Sequence, residues 1–202
     1  MSANAALRCA NFEARRDKAI ALFAEKGFGQ VSMRELASHL GLTPGSLYHH
    51  FPSKQDLLYD LIEELYEELQ AALHPGLRAL TRGGPALPYL IATHWALHAE
   101  RPLQFRLAER DLCCLRDDQQ ERLARLRNAY ETSLLRLIAP QALLPGEALT
   151  ATAHVLATLL NSLPGWLQAR RLPQAQGLAL MESLLLGGLE RTLRGEGLEL
   201  PA

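Results

Sequence analysis

Apolar residues recur three and four positions apart along nearly the whole chain, and strand-like alternation of apolar with polar residues is missing. Leu and Ala outnumber the β-branched Val and Ile, which favours helix. A first helix is predicted from Phe12 to Lys26, with Phe12, Ala19, Ile20 and Phe23 on one face and Gly27 as its stop. Phe28, just beyond, tucks under the same core. A second, short helix opens at Ser32, where Ser32 and Glu35 spell a capping box: the serine hydroxyl takes the Glu35 N–H and the glutamate reaches back. Its buried side is Leu36, Ala37 and Leu40, and Gly41 supplies a turn. Thr43 then caps a third helix with Pro44 in its first position, and Pro52 ends it. Ser53 and Asp56 cap a fourth, from Lys54 to about Leu73, closed by His74-Pro75-Gly76.

Further helical stretches are predicted at 85–100, 102–115, 117–138, 147–168 and 173–194, punctuated by Gly83-Gly84-Pro85, Pro102, Pro140, Pro145-Gly146 and Pro173. The pattern specifies an all-α fold of about nine helices.

Composition narrows the class. No run of about 18 apolar residues is free of charge, which argues against a membrane span. The N-terminus carries no long apolar block after a basic segment, so a secretory signal is not expected and the cytoplasm is. The 3 cysteines are Cys9 and the adjacent Cys113 and Cys114; none stands in C-x-x-C spacing, so reduced thiols are expected rather than a disulfide framework or a four-cysteine zinc site. The net charge of −1 is unevenly spread. Residues 1–54 hold 7 Lys/Arg and 4 Asp/Glu, giving +3; residues 55–202 hold 14 and 18, giving −4. A basic head on an acidic body suits a protein whose head alone meets phosphate.

The block Val31–Lys54, VSMRELASHLGLTPGSLYHHFPSK, carries the chemistry. Two short helices joined by a glycine turn, the second opening with Thr, Gly and Ser, suit insertion of a small-residue helix end into a major groove. Tyr48, His49, His50 and Lys54 offer hydrogen-bond donors or charge to a DNA backbone.

This block resembles the N-terminal domain of the tetracycline-repressor (TetR) family, most specifically in the run Gly-Ser-Leu-Tyr-His-His-Phe-Pro-Ser-Lys at 45–54. Ala19-Ile20-Ala21-Leu22-Phe23 followed by Gly27-Phe28 is similar to the family's first helix, so the resemblance covers residues 12–60 or so. It implies that Ser32 and Lys54 meet phosphates at helix N-termini, and that Tyr48 and His50 touch the DNA backbone. Arg34 matches a helix-two position that reaches a base edge, where Arg reads guanine. Thr43, Gly45, Ser46 and His49 match the exposed face of the recognition helix; many members carry a larger side chain than Gly45, which leaves readout to Arg34, Ser46 and His49. The expected organisation is a DNA-binding domain, 1–54, and a ligand-binding and dimerisation domain, 55–202.

The resemblance further implies that the last two helices form a four-helix bundle with a second subunit. Leu149, Ala153, Leu156, Leu160 and Leu163 make an apolar stripe, as do Leu178, Met181, Leu185, Gly188 and Leu189, although a monomer core would look much the same. A ligand pocket is expected from polar and aromatic groups set among apolar ones: His94, Trp95, His98, Phe105, Glu109, Tyr130, Asn161, Ser162 and Trp166. Segments 94–136 and 155–172 are faintly similar to the branch of the family that senses acyl-CoA thioesters and other lipid catabolites.

The function implied is a ligand-responsive transcriptional regulator, not an enzyme: a homodimeric repressor of a palindromic operator in double-stranded DNA, released by a small effector, with no cofactor and no membrane partner. The residues leave two other classes open. His94 and His98 stand one helical turn apart, a metal-ligand spacing, so a metal-dependent helical enzyme with Glu109 or His154 as third ligand is one. The H-E-x-x-H arrangement, a nucleophile triad and a Gly-rich phosphate loop are all absent. The other is an interaction module that keeps the helix-turn-helix shape without reading DNA.

Overall fold

The computed structural model describes residues 3–80, 86–138 and 146–193, with side chains at 15–73, 86–138, 146–189 and 192. Phe12, Cys9 and the breakers Gly83, Gly84, Pro85, Pro140 and Pro145 therefore lie outside the described side chains. Among the described residues there are nine α-helices and no strand: α1 (Ala3–Lys26), α2 (Met33–His39), α3 (Pro44–His50), α4 (Lys54–Leu80), α5 (Ala86–Glu100), α6 (Pro102–Arg110), α7 (Asp117–Ile138), α8 (Gly146–Ala169) and α9 (Gln174–Leu193). Single 3₁₀ turns stand at Phe28–Gln30 and Leu112–Cys114, so the helix expected over 102–115 breaks after Arg110. No helix among these residues is long and apolar enough to cross a membrane.

Two expectations at helix ends are corrected. α4 does not close at His74-Pro75-Gly76 but runs on to Leu80. Proline's fixed φ fits a helix, and its missing N–H removes a single bond to the preceding turn. At α2, the Ser32 hydroxyl accepts the Glu35 N–H at 3.2 Å, but the Glu35 carboxylate does not reach back; it pairs with Lys26 at 2.5 Å. The charged partner is the stronger attraction.

The molecule divides into two compact units, Met1–Leu65 with Leu103–Ala124, and Tyr66–Pro102 with Arg125–Ala202. In the first, α2 and α3 are seven residues each, too short to hold as isolated helices, so the core beneath them must hold them. Ala19, Ile20, Phe23, Phe28, Leu36, Ala37 and Leu47 are buried there, with the Phe23 and Phe28 rings 5.2 Å apart. Each large apolar side chain so buried contributes about 1.5–3 kcal/mol. Gly41, at φ 67, ends α2 in the left-handed region, and the Leu42 N–H closes the turn on the Ala37 carbonyl at 2.8 Å. Leu57, Leu58, Leu61 and Ile62 of α4 are buried in the same unit.

Polar clasps fix this unit's outer elements. Arg16 of α1 bonds Asp60 at 2.7 Å and Glu64 at 2.5 Å on α4. Arg110 donates to the Phe23 carbonyl at 2.8 Å, at the end of α1. Arg116 and Gln119 donate to Asp56 at 2.8 and 2.9 Å, at the start of α4. The second unit has its own core, in which Leu90, Ile91, Tyr130, Leu134, Ala153, Leu156, Leu160, Met181 and Leu185 are buried.

Candidate nucleic-acid interface

The residues expected to face DNA lie on α2, α3, the turn between them and the start of α4, all in one compact unit. Ser32, Arg34, Thr43, Gly45, Tyr48, His49 and His50 are exposed, and Ser46 and Lys54 half-buried. Beneath them the same short helices bury Leu36, Ala37 and Leu47, so polar exposure is confined to one side. Tyr48 is 50% exposed, so its ring is not part of the core.

The caps leave usable chemistry. Ser32 Oγ accepts from Glu35 N and Thr43 Oγ1 accepts from Ser46 N, each at 3.2 Å. Capping occupies an acceptor lone pair only, so each hydroxyl keeps its hydrogen for a phosphate oxygen. Lys54 is less free: its Nζ donates to the Phe28 carbonyl at 2.7 Å and lies 4.3 Å from the Phe28 ring centre. Burial lowers its pKa, opposed by the neighbouring Cys114. At the start of α4, Ser53 Oγ accepts from Asp56 N at 3.1 Å and donates to the Asp56 carboxylate at 2.6 Å. Hydrogen bonding from Arg116 holds that carboxyl below its ordinary pKa, against a smaller opposing effect of burial.

The residues expected to line a pocket are divided between the two compact units. Phe105 and Glu109 stand on α6 in the N-terminal unit, Phe105 buried and Glu109 exposed. His94, Trp95, His98, Tyr130, Asn161 and Trp166 belong to the C-terminal unit, where Trp166 is 55% exposed with the Arg170 guanidinium 4.7 Å from its ring centre. The structure brings together two histidine pairs. His94 Nδ1–H donates to the Leu90 carbonyl at 2.7 Å, so its Nε2 must accept from the Tyr130 hydroxyl. Burial pulls His94 down to about 4, outweighing the Leu90 carbonyl, which raises it, and His98, which lowers it further. Burial likewise pushes the Tyr130 phenol well above its ordinary value.

His98 Nε2–H donates to the Asn161 carbonyl, three residues before Pro164, whose missing N–H disturbs the α8 ladder there. Gly165 and Gly177 admit the bulk beside them: an added Cβ would stand 3.1 Å from the His98 ring and 2.2 Å from the Trp95 indole.

The metal reading finds no support among the described residues. Both ring nitrogens of His94 are committed, and so is Nε2 of His98. His154 is bonded to Glu131 at 2.8 Å, and Glu109 lies in the other unit. Among the described residues no three His, Cys, Asp or Glu side chains are grouped to hold a metal ion.

The apolar stripes read on α8 and α9 face the chain's own core in part. Ala153, Leu156 and Leu160, with Met181 and Leu185, are buried inside the single chain. Open apolar side chains are offset from these by about a third of a turn: Val155, Leu159 and Trp166 on α8, and Leu180 and Leu184 on α9. The spacing of 155, 159 and 166 was legible as a second stripe on the same helix.

A trihelical head with a glycine turn and an exposed, capped second helix defines a helix-turn-helix regulatory protein. Residues 16–61 match the model of the bacterial regulatory proteins of the tetR family. The chain is 38% identical over 53 residues to the HTH-type transcriptional repressor KstR2 of Rhodococcus jostii, a match that spans 26% of either chain. The crystal structure of PfmR from Thermus thermophilus is 26% identical with a TM-score of 0.67, covering 92% of this chain and 99% of that one. AibR, crystallised with isovaleryl coenzyme A and operator DNA, is 18% identical with a TM-score of 0.63, covering 86% and 97%, and shares the fold.

Proposed function

We propose that the chain is a cytoplasmic, ligand-responsive transcription repressor that binds a palindromic operator as a homodimer and is released by a small, lipid-like or acyl-CoA effector. Residues 1–54 act as the DNA-binding domain and 55–202 as the ligand-binding and dimerisation domain. The observation that carries this reading is the one-sided exposure of α2 and α3: Arg34, Thr43, Ser46, Tyr48, His49 and His50 face outward from a core that holds both helices rigid.

In this reading α3 enters the major groove by its N-terminal end, where Gly45 brings the backbone close and Ser46 and His49 meet bases with Arg34. Tyr48, His50, Ser32 and Lys54 hold the phosphates. Two heads at successive major grooves, about 34 Å apart, read the two half-sites. The open apolar face of α8 and α9 supports a two-fold partner.

The effector would be met in the C-terminal unit by the polar groups of its core, His94, Trp95, His98, Tyr130 and Asn161. Each hydrogen bond there is one a ligand must replace, which restricts ligands to those with matching donors and acceptors. AibR, a fold relative crystallised with isovaleryl coenzyme A, favours this effector class. An effector releases DNA only by binding one dimer shape more tightly than the other.

Selection from a random-sequence duplex pool tests the reading. The expected product is a two-fold symmetric motif, bound in anisotropy at moderate salt, with Tyr48→Ala combined with Lys54→Ala weakening it at least about 100-fold. A pool that yields no motif, or a double variant that binds as well as wild type, defeats it.

A further inference from the structure

One motif is left unused by the regulator reading, the adjacent thiols of the turn between α6 and α7. Cys113 is exposed and Cys114 half-exposed, on consecutive residues of the chain. The turn that carries them is fixed at both ends. Arg110, just before it, donates to the Phe23 and Ala24 carbonyls at 2.8 and 3.4 Å, and Arg116, just after it, donates to Asp56 and Ser53 at 2.8 and 3.3 Å. Within the turn the Cys114 N–H donates to the Asp111 carbonyl at 2.9 Å, and the Cys113 thiol to the Arg110 carbonyl at 3.7 Å. Two thiols on consecutive residues, one of them facing solvent, thus stand on a strap clasped to the ends of α1 and α4.

Geometry decides what such a pair can do. The 113–114 peptide is trans, which sets the two Cα atoms about 3.8 Å apart, while disulfides want roughly 4.4–6.8 Å. A mutual disulfide is therefore strained. A single larger atom that accepts two thiolates bridges the same sulfurs without drawing them to bonding distance.

We propose that Cys113 and Cys114 form a chelating dithiol site for trivalent arsenic compounds, on the compact unit that carries the helix-turn-helix. With an arsenic(III) oxide R–As=O the step is a condensation. Two As–S bonds form, the As=O bond and two S–H bonds break, and the oxygen leaves as water with both thiol protons; nothing is oxidised or reduced. Burial, the neighbouring Cys113 and Asp111 raise the Cys114 thiol, against the pull of Lys54, so it is protonated at neutral pH. That disfavours peroxide chemistry, which needs the thiolate. It does not impede a condensation that carries the proton away.

The test is intact-mass spectrometry of the full chain with one equivalent of phenylarsine oxide, followed by excess glutathione. Wild type and Cys9→Ser are expected to retain one arsenical less one water. Cys113→Ser and Cys114→Ser are expected to release it about 100-fold more readily, because a single thiol forfeits the intramolecular second bond. Dimercaptopropanol strips the adduct from wild type. Loss of the arsenical from wild type under glutathione overturns the proposal, as does equal retention by either serine variant. Tandem mapping of the wild-type adduct decides the same point without a variant: a label bridging 113 and 114 supports the site, and a label elsewhere overturns it.

Discussion

The Lys54 ammonium is held by Phe28 twice over, through the backbone carbonyl at 2.7 Å and across the ring at 4.3 Å from its centre. The two residues are 26 positions apart, so the contact staples the first turn of α4 to the segment that follows α1. Lys54 is therefore a structural residue of the head before it is anything to a phosphate. It retains two further N–H donors for one.

Lys54→Met keeps the aliphatic stem and removes the ammonium. The lost charged hydrogen bond and cation–π contact together predict a destabilisation of about 1–2 kcal/mol, read as a lowered urea midpoint with an unchanged slope. An unchanged midpoint would show that solvent replaces Phe28 at no cost.

Gly177 of α9 faces the Trp95 indole so closely that an alanine Cβ would stand 2.2 Å from the ring. In an ordinary helix Gly→Ala gains about 1 kcal/mol. Here Trp95 is only 5% exposed and has no open side to swing toward. Gly177→Ala should cost about 1–3 kcal/mol. Gly187→Ala, on the same helix with nothing within 4 Å of where the new methyl would stand, is the control and should not. Equal melting temperatures for the two variants would sink the packing argument.

How far the sequence could be read follows from the range of the forces involved. Caps, breakers and turn glycines act within four residues, so Ser32, Thr43, Pro44, Gly41 and the trihelical head were legible from spacing alone. Where a short-range cue met a long-range partner, the partner prevailed: Lys26 drew Glu35 away from its capping box. The α8 and α9 stripes are ambiguous for a related reason. Both helices are apolar on two faces, and periodicity cannot say which face meets the chain's own α5 and which stays open. His94 and Tyr130 are 36 residues apart, and no local pattern links a histidine to its hydroxyl donor at that separation.

His94 sets a pH dependence whose sign is fixed. Its folded pKa is about 4 against an ordinary 6.5, so between those values the unfolded chain binds a proton that the folded chain refuses. Stability is full above about pH 6.5 and falls as the pH drops toward 4, by about 3 kcal/mol from this residue. His94→Gln keeps an acceptor for Tyr130 and removes the titration. Urea midpoints measured from pH 7 to pH 4.5 should fall less steeply in the variant than in wild type, and parallel curves would remove His94 as the cause.

The open face of α8 and α9 makes the last prediction. Val155, Trp166 and Leu184 are more than half exposed, and Val155, Leu159 and Leu184 line one apolar groove between the two helices. An open apolar surface of this kind suits an interface, and a two-fold partner would cover it with its own copy. Val155→Arg combined with Leu184→Arg places like charges on both sides of a two-fold axis, so repulsion adds to the lost burial. Neither side chain supports the chain's own core, and the helical circular dichroism should be unchanged. Sedimentation should find wild type dimeric at micromolar concentration and the double variant monomeric, with duplex affinity reduced at least about 100-fold because one head reads one half-site. A variant that remains dimeric would move the interface elsewhere. A wild type that is monomeric even with duplex present would leave this face without a partner and the two-headed reading of DNA without its spacing.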